Sequence, residues 1–285
     1  MSGKLFIVAT PIGNLGDIGA RAIEILRSAD IIAAEDTRTS MALTEKFGIK
    51  TKLAANHKFN ESGSCDYFLG ELLSGKNIAV ISDAGTPCIS DPGALLVKKA
   101  VENNIAVVAI PGACAAVAAL SVAGFEIKSF TFEGFFPRGG AGAKKTAQKL
   151  LDKPGVYIFY ESPKRIIKTF EVFAKYLPDS DFCLCNDLTK KFERIYRGAP
   201  AAVLDELRDN PSAEKGEYTV VIDVRGGVSA APRELAPEAA IVDVMVKENC
   251  GVKDAVNYIA ALGAYGLGKN ELYAASLNLK KMFGG

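Results

Sequence analysis

Histidine is nearly missing from this chain, and tryptophan is absent altogether. One histidine, His57, stands among 285 residues. A histidine-rich metal centre is therefore excluded, and a serine–histidine–acid hydrolase would depend on His57 alone, with no nucleophile elbow to serve it. Six cysteines fall at positions 65, 88, 114, 183, 185 and 250, with no CxxC among them. A zinc site needs about four ligands, so no metal is expected, and reduced, mostly buried thiols are the expectation. Cys183 and Cys185 lie two apart in a strand-like run and should share one face. No apolar run approaches the 18 residues of a membrane span. The opening MSGKLFIVAT enters an apolar strand with no cleavage pattern, so a cytoplasmic protein is expected. No lysine follows a glycine loop in the Walker arrangement, which argues against nucleotide hydrolysis.

Hydrophobic residues make up 49% and charged residues 24%, an ordinary globular balance at a length that suits two units and an appendage. The net charge is only +1, but it is unevenly spread. Between Arg138 and Arg197 stand thirteen Lys or Arg against seven Asp or Glu, with Phe135, Phe136, Phe192 and Tyr196 in or beside that stretch. Cations mixed with aromatics suit single-stranded nucleic acid; a solvated surface over buried aromatics is the plainer alternative.

Strand and helix patterns alternate from the start. LFIVA, DIIAAE, TKLAA, NIAVIS and IAVVAI read as strands. Between them lie helical stretches, one expected to start with Asp91 as N-cap and Pro92 just inside. PGACAAVAALSVAG is a helix of small residues able to approach a sheet closely. A largely parallel, doubly covered α/β sheet follows. Past a break near Gly124, SFTFEGFF, GVYIFY, DFCLCNDL, KFERIYRG and GEYTVVIDVRGG are strands, with basic helix AGAKKTAQKLLDK and a helix capped at Ser162–Pro163. Consecutive strands here predict a mixed sheet. The expected division is an α/β domain over 1–124, a second over 125–228, and a helix-turn-helix-like tail of three helices over 229–285. From Arg233 onward six basic residues balance six acidic ones, so the tail is either a nucleic-acid contact or a packing cap.

ATPIGNLGDIG mimics a dinucleotide fingerprint, but Gly13, Gly16 and Gly19 are spaced evenly by three, and the close Gly-x-Gly pair is missing. What remains are three polar loops after buried strands: TPIGNLGD, SDAGTP and PGACAA. In an open α/β sheet such loops line a crevice at the carboxyl ends of the strands. They offer backbone groups, small side chains and Asp83, but no Lys or Arg cluster, which suits an adenine edge, ribose hydroxyls and a zwitterionic tail rather than a triphosphate. In AAEDTRTS, Glu35, Asp36 and (from the next stretch) His57 are candidate bases, although Asp36 also fits as a helix cap and a lone histidine is usually structural.

The strings LFIVATPIGNLGDIGARAIEILRSADIIAAEDTR, VISDAGTPCISDPG, AIPGACAAVAALSVAGF, FEGFFPR and FYESPKRI occur here in one order. Together they resemble the 16S ribosomal RNA (cytidine-2′-O)-methyltransferase family of the tetrapyrrole-methylase superfamily, over residues 4 to about 225. The chain departs from that pattern at CNDLTK, where the family would carry an Arg-Glu pair before LTK, and at NHKFNE, where it would carry a more histidine-rich stretch. The resemblance implies two α/β domains of the tetrapyrrole-methylase type with S-adenosylmethionine in the cleft between them, usually in a homodimer. It matches Gly85-Thr86-Pro87 to the superfamily's Gly-Asp-Pro. Cofactor contacts are implied at Asp83, Ala84, Gly85, Thr86, Ile89, Cys114, Ala115, Tyr160, Glu161 and Leu188. For the reaction, Glu35 or Asp36 is expected to orient or deprotonate a ribose hydroxyl, with Asn14, Arg38, Arg138, Lys144 and Lys145 facing RNA or an assembled small subunit. A corrin-precursor methylase and a non-catalytic RNA binder are the alternatives.

Overall fold

The structure, a computed structural model, describes residues 2–56, 61–224, 236–262 and 267–283. These form two compact units, divided at Gly226.

The first unit opens with five short strands: β1 (Leu5–Val8), β2 (Ile31–Ala34), β3 (Lys52–Ala55), β4 (Ile78–Ile81) and β5 (Val107–Ile110). They form one parallel sheet in the order β3-β2-β4-β1-β5. β2 and β4 are buried along their whole length, which is why they read as unbroken apolar runs. Successive residues divide between two cores. Ile31, Ala33, Ile78 and Val80 pack under α3 (Glu61–Leu73) and α4 (Ala94–Glu102), through Phe68, Leu72, Leu96 and Ala100. Ile32, Ala34, Ala79 and Ile81 pack with Ala22 and Leu26 of α1 (Ala20–Ser28) and Leu43 of α2 (Thr37–Lys46). The chain thus leaves neighbouring β1 and β4 toward opposite faces, and a crevice opens between their carboxyl ends.

The second sheet is mixed, as consecutive strands predicted, in the order β6-β7-β10-β8-β9. β6 (Phe130–Phe135) runs parallel to β7 (Gly155–Glu161); β8 (Asp181–Asn186), β9 (Arg194–Gly198) and β10 (Tyr218–Val224) pair antiparallel. One face carries α6 (Gly140–Asp152), α7 (Ile166–Tyr176) and α8 (Pro200–Asp209) over a cluster of Phe159, Phe170, Phe173 and Phe182. The other face is covered by α5 (Ala115–Val122), whose Ala116, Ala119 and Leu120 meet Ile158, Cys183, Cys185 and Val221. The small-residue helix therefore leaves the first sheet and packs on the second. Both thiols of the Cys183–Cys185 pair face it, 3.9 Å apart, and all six cysteines are free.

Three details differ from expectation. α4 begins at Ala94 with Gly93 as N-cap, because the chain is still turning at Gly93 (φ 120°); Asp91 lies outside the helix. Ser162 and Pro163 do open a helix, but its first turn is 3-10 and the Ser162 side chain caps nothing. β9 starts only at Arg194, because positive φ at Asp187 (53°) and Thr189 (67°) throws the chain into a longer turn.

The second unit holds α9 (Pro237–Lys247), α10 (Val252–Leu262) and α11 (Lys269–Phe283). Ile241, Val244, Ala255, Ile259, Leu272 and Leu279 give it a core of its own. Gly263 and Gly266 of the expected glycine turn lie outside the described residues.

Candidate active site

The three polar loops are stitched to one another. Thr10 and Gly85 exchange backbone hydrogen bonds of 2.9 and 3.0 Å, joining the loop after β1 to the loop after β4. The Thr10 hydroxyl donates to the Ser82 carbonyl at 3.2 Å. Thr86 Oγ1 donates to the Ala113 carbonyl at 3.0 Å, tying in the loop after β5. Gly85 holds φ 80°, and a Cβ there would stand 3.2 Å from Ile12 Cγ2. The backbone can make this turn and meet the first loop only without a side chain.

These loops form one wall of a cavity of about 590 Å³, a volume that suits a small-molecule site. Ala84, Gly85, Thr86 and Ile89 line it from the β4 loop, Cys114 and Ala115 from the start of α5, and Tyr160, Glu161 and Leu188 from the second sheet. Nine of the ten positions named for the cofactor thus converge. The tenth, Asp83, does not line the cavity: its Oδ1 accepts the Asp36 N–H at 3.1 Å, so it braces the neighbouring loop. Sequence reading missed Ile12, Asp91, Phe130, Phe132, Phe135, Glu217 and Thr219, which also line it. The aromatic run FTFEGFF was the available signal for the phenylalanines; Glu217 and Thr219 join only through strand pairing.

No Lys or Arg is among the lining residues. The cavity is thus unsuited to a triphosphate and compatible with a cationic sulfonium. Tyr160 lies edge-on to Phe132 and Phe135, with ring centroids 5.0 and 5.9 Å away. Burial, reinforced by the Cys114 thiol and opposed by a hydrogen bond from the Ala116 backbone, pushes its phenol up to about 12. Glu161 is turned away from any ligand. Its Oε1 accepts from the Ser162 N–H at 2.6 Å and Arg165 Nε at 2.8 Å, and its Oε2 accepts from the Thr169 hydroxyl at 2.7 Å. Arg165 also donates to the Phe136 carbonyl at 3.1 Å. This buried pair fixes the end of β7 against the end of β6, and Glu161 contributes to the wall by position rather than by a free carboxylate.

Glu35 and Asp36 follow β2 and do not line the cavity. Asp36 caps α2 by accepting the Arg38 N–H at 2.9 Å, and its Oδ2 pairs with Arg38 Nη2 at 2.7 Å. That pairing raises the pKa of the exposed Arg38 guanidinium. Asn14 Oδ1 accepts the Gly16 N–H at 3.0 Å and shapes the first loop. Arg138, Lys144 and Lys145 are exposed at the start of α6 and form no ion pair among the described residues. His57 lies outside the described residues, and among those described no three His, Cys, Asp or Glu cluster as a metal site would require.

Comparison with known proteins adds a second line of argument. The signature of the Tetrapyrrole (Corrin/Porphyrin) Methylases matches residues 4–203. The ribosomal RNA small subunit methyltransferase I of Escherichia coli O157:H7 is 38% identical over 96% of this chain and 95% of its own. That of Pseudomonas aeruginosa is 44% identical over 78% and 79%. A uroporphyrin-III C-methyltransferase from Thermus thermophilus, solved with S-adenosyl homocysteine, shares the fold at a TM-score of 0.55 and 12% identity, over 77% of this chain and 97% of its own. The sheet orders, the stitched loops and these matches lead to one conclusion: the chain belongs to the tetrapyrrole methylase family, in the company of the ribosomal RNA small subunit methyltransferase I proteins.

Proposed function

We propose that this protein is an S-adenosylmethionine-dependent methyltransferase of small-subunit ribosomal RNA, and that it methylates the 2′-hydroxyl of a cytidine ribose. The observation that carries the reading is the cavity at the β1/β4 switch point, walled by the loops the family resemblance singles out and free of cationic side chains. Ala84, Gly85 and Thr86 would hold the cofactor from one side, Cys114 and Ala115 would leave room for a flat ring, and Tyr160 and Leu188 would close the far wall. The bound cofactor supplies an already activated sulfonium methyl.

The protein's task is then alignment and proton removal. Holding two reactants in line supplies most of such a rate. A ribose hydroxyl gains a further ~10²–10⁴-fold from a general base. Glu35 is the proposed base or orienting group. Asp36 assists through its backbone link to Asp83 and through Arg38, whose outward guanidinium would meet RNA phosphate. Asn14 would position the ribose, and Arg138, Lys144 and Lys145 would add phosphate contacts. A cytoplasmic homodimer acting on RNA or the assembled subunit completes the proposal; the exposed Val117, Val122, Phe130 and Phe135 support self-association.

The test offers tritiated S-adenosylmethionine and two acceptors, small subunits from cells lacking the activity and a corrin precursor. Label in subunit RNA is the expected result. Label in the corrin alone would replace this reading with tetrapyrrole methylation.

A further inference from the structure

The turn between β8 and β9 is built more rigidly than a surface hairpin needs. Two non-glycine residues in it hold positive φ, Asp187 at 53° and the β-branched Thr189 at 67°. Such conformations persist only where the surroundings impose them. Here Lys190 Nζ bridges Asp187 Oδ1 at 2.8 Å and Glu217 Oε2 at 2.7 Å. Burial works to lower its pKa, but these two carboxylates outweigh it and keep the ammonium charged. The Lys190 N–H donates to the Asp187 carbonyl at 2.9 Å and the Glu193 N–H to the Lys190 carbonyl at 3.1 Å. The Thr189 N–H donates to the Glu193 carboxylate at 2.5 Å.

The turn also touches both sides of the site. Leu188 and Glu217 line the cavity. A Cβ on Gly13 would lie 2.5 Å from Lys190 Cγ and 3.2 Å from the Leu188 carbonyl, so the first loop rests on the turn. At its outer end, Phe192 is 74% exposed, far more than a packed aromatic. Lys191 Nζ stands 5.4 Å from its ring centroid. Lys191 and Arg194 are exposed and form no ion pair among the described residues. Phe192 lies four positions beyond Leu188, a span of at most about 14 Å.

We infer that Phe192 is a stacking platform for an unpaired base of the acceptor RNA, flanked by Lys191 and Arg194 as phosphate contacts. This rests on the RNA reading above. A rigid aromatic with cations beside it is what a single strand requires, since every base offers a flat face and every linkage a negative charge. Fixing the turn beforehand removes the ordering cost that a mobile loop would carry.

Because the chain has no tryptophan, Phe192→Trp gives a single fluorescent reporter. Three proteins are compared: wild type, Phe192→Ala and Phe192→Trp. Phe192→Ala should raise the KM for small subunits about tenfold or more, with cofactor affinity by calorimetry unchanged. Phe192→Trp should keep a near-normal KM, and short oligocytidine should quench its emission. A KM within twofold of wild type for Phe192→Ala overturns the inference, as does a parallel loss of cofactor affinity or an emission that RNA leaves untouched. An emission change that follows protein concentration without RNA would mean that a second copy covers Phe192, and would also overturn it. If wild type methylates no RNA, the functional reading fails instead, and the oligocytidine titration still decides whether Phe192 stacks on a base.

Discussion

Gly85 holds φ 80° while its backbone pairs with Thr10, so a side chain there strains the turn and crowds Ile12 together. A left-handed conformation costs a non-glycine residue about 1–2 kcal/mol. Gly85→Ala should therefore weaken cofactor binding about tenfold, read by calorimetry, while the sheet stays folded by circular dichroism. Tyr160 gives a pH signature. Its phenol is held at about 12 in the folded protein against 10.0 for an ordinary tyrosine. Between those values the unfolded chain gives up its proton first, so the folded state binds more protons and stability falls as pH rises. Urea unfolding at about pH 9 and about pH 11 should show that loss, and Tyr160→Phe should reduce it. Tyr218, raised by burial in the same direction, accounts for part of the remaining slope. The glycine was visible in the sequence as part of SDAGTP. The tyrosine's environment was not, because Phe132 and Phe135 reach it only across the β6–β7 pairing.

Strands and helices carry a different set of consequences. Glu161, at the end of β7, is almost fully buried and its charge is met by Arg165 from the 3-10 turn that follows the strand. Removing one partner of a buried pair leaves an uncompensated charge, at about 3–5 kcal/mol. Arg165→Ala should lower stability by that order in urea unfolding, and it should raise the KM for the cofactor, because the β6 and β7 ends lose their common anchor. Local patterning made β2, β4 and β7 legible, since continuous apolar runs bounded by polar loops have few alternatives. It failed where backbone geometry overrode composition. DPG looks like an N-cap followed by a first-turn proline, yet the chain is still turning through Gly93 and the helix begins at Ala94. KFERIYRG looks like one strand, yet the clamp on Lys190 holds its first residues in the turn. Asp36 could be read either as an acid for chemistry or as a helix cap; the structure has it capping α2 and paired with Arg38.

Sheet order explains why three separate loops serve one cavity. β1 and β4 are neighbours although 69 residues and two strands intervene between Val8 and Ile78 in the chain. Only the strand order reveals that adjacency; the sequence showed the loops as a set, from their composition and their likeness to the family. All residues lining the cavity fall between Ile12 and Thr219, within the first unit. A chain ending at Gly226 should therefore keep its cofactor affinity by calorimetry, and a large loss would mean that the three-helix unit supports the cavity. If the basic stretch meets RNA phosphate as proposed, RNA binding should weaken steeply with salt, and a flat salt dependence would count against those contacts.

The proposed reaction is decided by where the methyl group goes. RNA from small subunits labelled with the tritiated cofactor would be hydrolysed in alkali and the products separated. A 2′-O-methyl group removes the internal nucleophile, so the account predicts label in one alkali-resistant dinucleotide containing cytidine. Label released in mononucleotides would place the methyl on a base and contradict the 2′-hydroxyl assignment; RNA without label would contradict the account as a whole.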